Sequence, residues 1–332
     1  MKQYLNRLIQ HQHLTKDEAR NVLVEMAEGK FDPHQVASFL TIYMMRPITI
    51  EELSGFQEAL LDLCLPVNLN NYDPIDLCGT GGDGKDTFNV STLASFVTAG
   101  AGVAVSKHGN YGVSSVCGSS NVMEHLGIVF SKEEDILKKC LDNANITVLH
   151  APLFHPAMKA VAPIRRALGV KTFFNMLGPL VNPAFPKKQL VGVFSLELAR
   201  IYGYLYQKTN KNYSVIYALD GYDEASLTGN LKQINKTGEH LLTPAHFGTK
   251  AIDPKLIEGG KDVASSAELF MKVLNCQGTE PQNKVVIANA ALAISTAEDI
   301  SIEKAIEKAE DSLFNQKALD CFERLKKTLA EA

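Results

Sequence analysis

Apolar residues in the first 65 positions recur at three- and four-residue intervals, the spacing that lines one face of an α-helix. Leu5, Leu8 and Ile9 begin the pattern. Thr15 and Glu18 supply the two ends of a capping box ahead of Ala19, Val22, Leu23 and Met26, and Gly29 stops that helix. Asp32 is placed to cap a third helix whose first residue is Pro33, with Val36, Phe39, Leu40, Tyr43 and Met44 on one face. Thr49 and Glu52 repeat the capping box before Leu53, Phe56, Leu60 and Leu61. The pattern predicts a small all-helical unit.

The polar stretch PVNLNNYDP (66–74) ends that unit, and the periodicity changes. Apolar runs of strand length follow: IDLC (75–78), VAVS (103–106), ITVLH (146–150), QLVGVF (189–194) and YSVIYAL (213–219). They alternate with helical patterns at 91–101, 119–127, 132–144, 155–168 and 196–209. That alternation predicts an α/β fold with a mostly parallel central sheet flanked by helices. LKQINKTGEHLLTPAHFG, after residue 230, reads as an antiparallel excursion, followed by helices near 263–275, 282–297, 301–314 and 316–330. The segment 155–186 breaks the rhythm, with helical pieces, several prolines and no good strand. It is expected to return to the N-terminal helices. The small helical domain, 1–70, is then completed by about 160–186, a large α/β domain takes 71–159 and 187–332, and the connections form a hinge.

Length agrees with this division, since 332 residues at ~150 per domain suggest two domains. Hydrophobic residues at 45% and charged residues at 21% exclude a mainly disordered chain. With 33 Lys+Arg against 37 Asp+Glu the net charge is −4, which argues against nucleic-acid binding driven by bulk charge. No apolar run reaches the ~18 residues of a membrane span. The N-terminal stretch has the polarity of an amphipathic helix and not of a signal peptide. Cys64, Cys78, Cys117, Cys140, Cys276 and Cys321 show no C-x-x-C spacing and read as reduced, mostly buried thiols. The expected location is the cytoplasm.

Open α/β sheets bind ligands beyond the carboxyl ends of their strands, and here those segments are rich in Gly, Ser, Thr and charge. Gly79-Thr80-Gly81-Gly82-Asp83 follows the first strand, where glycines let backbone N–H groups approach an anion. Asn89, Ser91 and Thr92 stand at the start of the next helix. The spacing matches neither a Walker A loop nor a Rossmann fingerprint. After the second strand come Lys107 to Ser115 and then Cys117-Gly118-Ser119-Ser120, a lysine and hydroxyls suited to phosphate oxygens, with Ser119 placed to cap a helix. Asp220-Gly221-Tyr222-Asp223-Glu224 ends the fifth strand, and adjacent carboxylates there suit Mg²⁺. Each motif alone also reads as a solvated turn or a cap; their recurrence on one sheet edge favours a site. The helical insertion adds His155, Lys159, Arg165 and Arg166, and an arginine offers a planar fork for a carboxylate. Together these features describe an enzyme for a Mg²⁺-complexed, polyphosphorylated small molecule and a second, anionic substrate. No Ser-His-Asp or Cys-His constellation stands out, so displacement at carbon or phosphorus is favoured over an acyl-enzyme.

GTGGD, NVST, KHGN, SS with GS, HPAMKAVAPIR, FNMLGPLVNP and GYDE, in that order, resemble the motifs of the anthranilate phosphoribosyltransferase family. The resemblance implies a nucleoside phosphorylase/phosphoribosyltransferase-like fold, an active site at the hinge and a homodimer. It implies a reaction of 5-phosphoribosyl 1-diphosphate with anthranilate, giving N-(5-phosphoribosyl)anthranilate and diphosphate in tryptophan biosynthesis. By resemblance the donor site comprises Gly79, Gly82, Asp83, Thr87, Asn89, Val90, Ser91, Thr92, Lys107, His108, Gly109, Asn110, Tyr111, Gly112, Val113, Ser114, Ser115 and Ser119. Gly79, Asn110 and Arg165 match positions that meet anthranilate, and Ser91, Asp223 and Glu224 match ligands of Mg²⁺, with two ions expected.

The family commonly carries Arg immediately after KHGN; Tyr111 stands there in this chain, one positive charge fewer beside the phosphates. Anthranilate's amine is a weak but neutral nucleophile, so the expected difficulty is departure of diphosphate, and no residue is assigned as a general base. A pyrimidine nucleoside phosphorylase shares the architecture but would not need the Asp223–Glu224 pair. A nucleic-acid-binding relative without catalysis is disfavoured by the net charge of −4 and by the intact motifs. No nucleic-acid or membrane partner is expected.

Overall fold

The computed structural model of the chain describes residues 1–112 and 117–332. Its N-terminal helices are α1 (Lys2–Ile9), α2 (Lys16–Ala27), α3 (Pro33–Met45) and α4 (Ile50–Asp62). Then come β1 (Ile75–Gly79), α5 (Val90–Gly100), β2 (Val105–Gly109), α6 (Ser119–His125), α7 (Glu134–Ala144) and β3 (Ile146–His150). A helical stretch follows, α8 (Ala151–Phe154), α9 (Met158–Leu168) and α10 (Phe174–Leu177). The sheet resumes with β4 (Lys188–Gly192), α11 (Leu196–Gln207), β5 (Asn212–Ala218), β6 (Leu231–Asn235) and β7 (Gly238–Leu242). The C-terminal helices are α12 (Val263–Leu274), α13 (Glu280–Glu298), α14 (Ile302–Phe314) and α15 (Lys317–Ala330).

The chain divides into two compact units, Met1–Val67 with Ala151–Phe185, and Asn68–His150 with Pro186–Ala332. In the helical unit both expected capping boxes form, at Thr15/Glu18 and Thr49/Glu52, and the Asp32 carboxylate accepts from the His34 amide. Each cap contributes about 1 kcal/mol. The rings of Phe39, Tyr43, Phe56 and Phe173 form the aromatic centre of this unit, with Phe56 and Phe173 stacked at 4.5 Å. Leu65 N donates to Phe154 O at 2.8 Å and Val67 N to Pro183 O at 2.9 Å, which ties the returning segment to the N-terminal one. Residues 151–159 therefore lie with the helices and not with the sheet: β3 runs directly into α8, leaving no linker at the position expected from sequence. Met44 does not share the buried face of α3; it is 44% exposed, one step round the helix from buried Tyr43, and Ile9 is likewise exposed.

The second unit is built on a sheet in the order β3-β2-β1-β4-β5-β6-β7. Its first five strands pair parallel, and β6 and β7 extend it antiparallel, so the excursion after residue 230 has the expected direction. The chain builds outward from β1 to β3, then returns to place β4 on the other side of β1. That reversal makes the β1/β4 edge the topological switch point, where open α/β sheets leave a crevice. β2 runs further than its apolar residues indicate. It covers Val105–Gly109 because Lys107, His108 and Gly109 pair with Val148, Leu149 and His150 of β3. α13 is buried over most of its length and carries the core beneath the sheet. The cysteines are all free, but only Cys64 and Cys140 are fully buried; the other four are half-exposed. Among the described residues no single helix is long and apolar enough to cross a membrane.

Candidate active site

The Gly79–Asp83 segment is fixed from two sides. Thr80 N donates to Gly192 O at 2.9 Å, and Gly81 N donates to the Asp223 carboxylate at 2.6 Å. Gly79 and Gly192 are directly opposed in the β1–β4 ladder. A Cβ on Gly79 would fall 2.3 Å from the Asp223 carboxylate, and one on Gly192 would fall 1.4 Å from the Asp223 carbonyl oxygen. Both glycines are therefore required by the approach of Asp223 to the switch point. The sequence reading assigned Gly79 to the approach of an anion; the side chain it makes room for in this structure is Asp223.

Asp223 and Glu224 are buried, not an exposed acidic turn. Burial is the main cause that raises both carboxyls above their ordinary range; Asp223 also feels Asp83, and Glu224 feels Asp223. The Gly81 N–H offsets part of the effect on Asp223, and the Thr87 hydroxyl part of that on Glu224. Neither carboxylate has an ion pair among the described residues, and Glu224 Oε1 is buried without a hydrogen-bond partner. The turn is held from below by Asn289 on α13, whose side-chain oxygen accepts from Ala225 N at 3.0 Å and whose amide donates to Ala225 O at 3.0 Å. Asn289 and Gly192 were not singled out from sequence. An asparagine inside the apolar run IANAALAI was the available signal for the first.

The remaining expected residues divide by location. Asn89 occupies the N-cap position of α5 but makes no side-chain cap; its amide donates to Cys117 O at 3.2 Å. Val90 begins the helix, and Thr92 Oγ1 is buried without a partner, as is Thr80 Oγ1 beside the loop. Gly82 and Asp83 continue the glycine loop, Asp83 accepting from Lys85 N at 3.0 Å, and Thr87 bridges to Glu258. Lys107 and His108 sit in β2, not in a loop. Lys107 Nζ donates to Leu77 O at 2.8 Å and lies 3.4 Å from Ser91 Oγ, and burial lowers its pKa. His108 N donates to buried Asp76 at 3.1 Å. Ser91 is thus brought to Lys107, and no hydrogen bond joins it to Asp223 or Glu224 among the described residues.

Gly109 ends β2, and Asn110, Tyr111 and Gly112 follow. Asn110 O accepts from Ser120 N at 3.1 Å and from Ser119 Oγ at 3.3 Å. Ser119 is the first residue of α6 and not its cap; Asn121 takes the capping role, accepting from Gly118 N at 3.0 Å and Gly112 N at 2.9 Å. Tyr111 brings a ring and no charge to this segment. Its ring meets His150 edge-on at 4.8 Å, and His150 in turn stacks on Phe130 at 4.4 Å. Val113, Ser114 and Ser115 lie outside the described residues.

Arg165 and His155 lie in the helical unit. Arg165 is half-buried in the last turn of α9 with its guanidinium carbon 5.1 Å from the Phe174 ring centroid, whereas Arg166 is exposed. His155 is buried, and its Nε2–H donates to Val181 O at 2.9 Å; burial pulls the imidazole down to about 4. It packs as a neutral side chain. Lys159 is exposed.

No cluster of three or more His, Cys, Asp or Glu occurs among the described residues. Asp223 and Glu224 offer hard oxygens of the kind that suits Mg²⁺ together with substrate phosphate oxygens. Residues 71–319 match the glycosyl transferase family a/b domain, and residues 2–64 the helical bundle domain of the same family. An anthranilate phosphoribosyltransferase from Flavobacterium psychrophilum is 60% identical over 325 residues, 98% of each chain. The chain belongs to the anthranilate phosphoribosyltransferase family. Its fold is similar to that of the family member from Thermus thermophilus, with a TM-score of 0.91 at 30% identity over 98% of this chain and 99% of that one. The Saccharomyces cerevisiae enzyme, in complex with PRPP and Mg, superposes with a TM-score of 0.91 at 26% identity over 99% of this chain and 98% of that one.

Proposed function

We infer that this chain transfers the 5-phosphoribosyl group from 5-phosphoribosyl 1-diphosphate to the amine of anthranilate, giving N-(5-phosphoribosyl)anthranilate and diphosphate, a step of tryptophan biosynthesis. The observation that carries the reading is the pair of buried carboxylates, Asp223 and Glu224, set against the Gly79–Gly81 backbone with no cationic side chain paired to them among the described residues. Such a pair is costly unless a cation joins it. Asp223, Glu224 and Ser91 are the proposed ligands of Mg²⁺, as two ions; bound there, Mg²⁺ supplies positive charge to the leaving diphosphate. The yeast relative in complex with PRPP and Mg supports Mg²⁺ as the metal.

The residues of the chain do the rest. The glycine loop and the N-terminus of α5 offer backbone N–H groups to phosphate oxygens, with Asn89, Thr92 and Thr80 presenting short polar side chains there. Lys107 adds a fixed positive charge from within β2. Gly82, Asp83, Thr87, Val90, His108 to Ser115 and Ser119 complete the proposed donor site. Arg165 holds the anthranilate carboxylate, with Gly79 and Asn110 as further contacts. The neutral amine attacks the anomeric carbon as the bond to diphosphate breaks. The strongly acidic arylammonium so formed gives its proton to the departing diphosphate or to water, so no residue of the chain is assigned as a general base. A homodimer in the cytoplasm is the assembly and location we propose.

Loss of anthranilate fluorescence tests the reading. It should require the donor and Mg²⁺ together and stop with excess EDTA. Phosphorolysis of a pyrimidine nucleoside without any consumption of anthranilate would replace this reading with the phosphorylase one.

A further inference from the structure

Arg165 is held by its neighbours in a way that fixes its direction without cancelling its charge. α9 ends in the left-handed Gly169, whose N–H donates to Arg165 O at 3.2 Å. The chain then closes a small turn in which Thr172 and Asn175 bond reciprocally. Thr172 N donates to Asn175 Oδ1 at 3.2 Å, and Asn175 N donates to Thr172 O at 3.0 Å. The same Asn175 Oδ1 lies 3.4 Å from Arg165 Nη2. One face of the guanidinium rests on Phe174, and Phe174 stacks on Phe173 at 4.7 Å, which stacks on Phe56 at 4.5 Å. The platform under the guanidinium therefore reaches into the buried aromatic centre of the helical unit.

A guanidinium carries five N–H donors in a rigid plane. Here one side of the fork meets a neutral amide oxygen, one face meets a ring, and no carboxylate pairs with it among the described residues. Burial lowers the pKa of Arg165 and no acidic neighbour opposes the effect, so the charge is desolvated but not neutralised. An aspartate at position 175 would satisfy the same turn, since Thr172 N needs only an acceptor oxygen. It would also pair with the arginine and repel an incoming carboxylate. The amide gives orientation without that competition, a case of specificity built by leaving out the wrong charge.

We propose that Asn175 is a positioning residue for the second substrate, orienting the Arg165 guanidinium on the Phe174 ring so that its remaining donors meet the substrate carboxylate. The proposal rests on the function inferred above and adds a residue that acts on anthranilate only through Arg165.

The test compares Asn175→Asp and Asn175→Ala, each alone and in an Arg165→Ala background, with anthranilate and donor varied separately. Asn175→Asp keeps the acceptor for Thr172 N and gives Arg165 a partner charge, so it should fold like the parent, with thermal unfolding no lower than the parent's. It should raise the anthranilate KM roughly tenfold or more, the scale of a charge-assisted hydrogen bond that is lost or mis-set. The donor KM should stay within about twofold, and in the Arg165→Ala background the further effect should vanish, the signature of coupled residues. Additive effects, an equal rise in donor KM, or an Asn175→Asp enzyme with the parent's KM would each overturn the proposal. A readout without substrate separates this idea from the function itself: ¹⁵N relaxation of the Arg165 Nε–Hε group. Restricted motion in the parent and released motion in Asn175→Ala supports the positioning role even where the parent fails to consume anthranilate. Equal order in both variants refutes it.

Discussion

Asp223→Asn should make the metal-free protein more stable while abolishing its turnover. Asp223 is buried, and its carboxyl is pushed up to about 7, from an ordinary 3.8, by burial first and by the charge of Asp83 second. A carboxyl raised in this way binds its proton more tightly folded than unfolded. Stability therefore falls as pH rises through the window from 3.8 to about 7, and the whole cost is present above it. Three units at about 1.4 kcal/mol each make that cost roughly 4 kcal/mol, shared with Glu224 because the two carboxylates titrate as a pair. Asparagine cannot ionise, yet it keeps an oxygen for the Gly81 N–H that now donates at 2.6 Å.

Thermal unfolding by circular dichroism, in EDTA, from pH 4 to pH 9 reads the difference. The variant should unfold several degrees above the parent at pH 8, of the order of 5–10 °C for ~4 kcal/mol in a chain of this size. The two should converge as pH falls toward 4. Added Mg²⁺ should raise the parent's transition above pH 7 and leave the variant's unmoved, since ligand binding stabilises only the state that holds the site. A variant less stable than the parent at pH 8 in EDTA, or a difference independent of pH, would refute the argument that Asp223 is a strained charge awaiting a cation.

Gly192→Ala should displace the Asp223 turn, because its Cβ would stand 1.4 Å from a backbone carbonyl; calorimetry should show donor affinity largely lost, and near-normal affinity would separate this turn from the site. Arg165→Ala should weaken apparent anthranilate affinity roughly 10- to 150-fold, the range of a charge-assisted hydrogen bond worth about 1.5–3 kcal/mol, while exposed Arg166→Ala stays nearly silent; steady-state kinetics that do not distinguish the two variants would remove Arg165 from the site. His155, held down to about 4 by burial, should cost stability as pH falls from about 6.5 to 4, by roughly 3 kcal/mol in all. Urea unfolding at pH 7.5 and 4.5 should show a smaller loss for His155→Gln than for the parent, and equal losses would count against the neutral assignment.

What the sequence disclosed was mostly what short stretches of chain decide by themselves. Thr15 with Glu18 and Thr49 with Glu52 fix helix starts through bonds spanning three residues, so the pattern suffices. Alternating apolar runs gave the strands and the antiparallel excursion for the same reason. β2 escaped because polar Lys107 and His108 become strand only through their pairing with β3, about forty residues on in the chain. Met44 escaped because the stripe on α3 ends at Tyr43, and only packing shows where a stripe ends. At the site, the glycine density of GTGGD was visible, but its demand was not. Gly79 and Gly192 are needed because Asp223 arrives from another strand end, and Asn289 because that turn must be tied to α13. Arg165 stood out by resemblance, whereas the amide and ring that aim it come from a turn whose bonds the linear pattern does not reveal.

The two units carry the same physical signature with opposite sign. In the sheet unit, two carboxylates are taken out of water with no cation among the described residues. In the helical unit, a guanidinium is partly taken out of water with no anion, and its only side-chain acceptor among the described residues is a neutral amide. Neither arrangement serves folding, because a desolvated, unpaired charge costs free energy that a hydrophobic residue of similar size would not. The contrast lies within the same helical unit: Glu52 is fully buried but is met by Arg46, Tyr43, Leu14 N and Thr49, an ionic group whose carboxylate is paired and hydrogen-bonded and which ties helices together. Satisfied buried charge thus marks the scaffold, and unsatisfied buried charge marks where ligands complete it. An anionic handle for Arg165 and a cation for Asp223 and Glu224 are the two completions the charges require. In the function proposed above, anthranilate's carboxylate and the Mg²⁺ that accompanies the donor's diphosphate are the groups that would supply them.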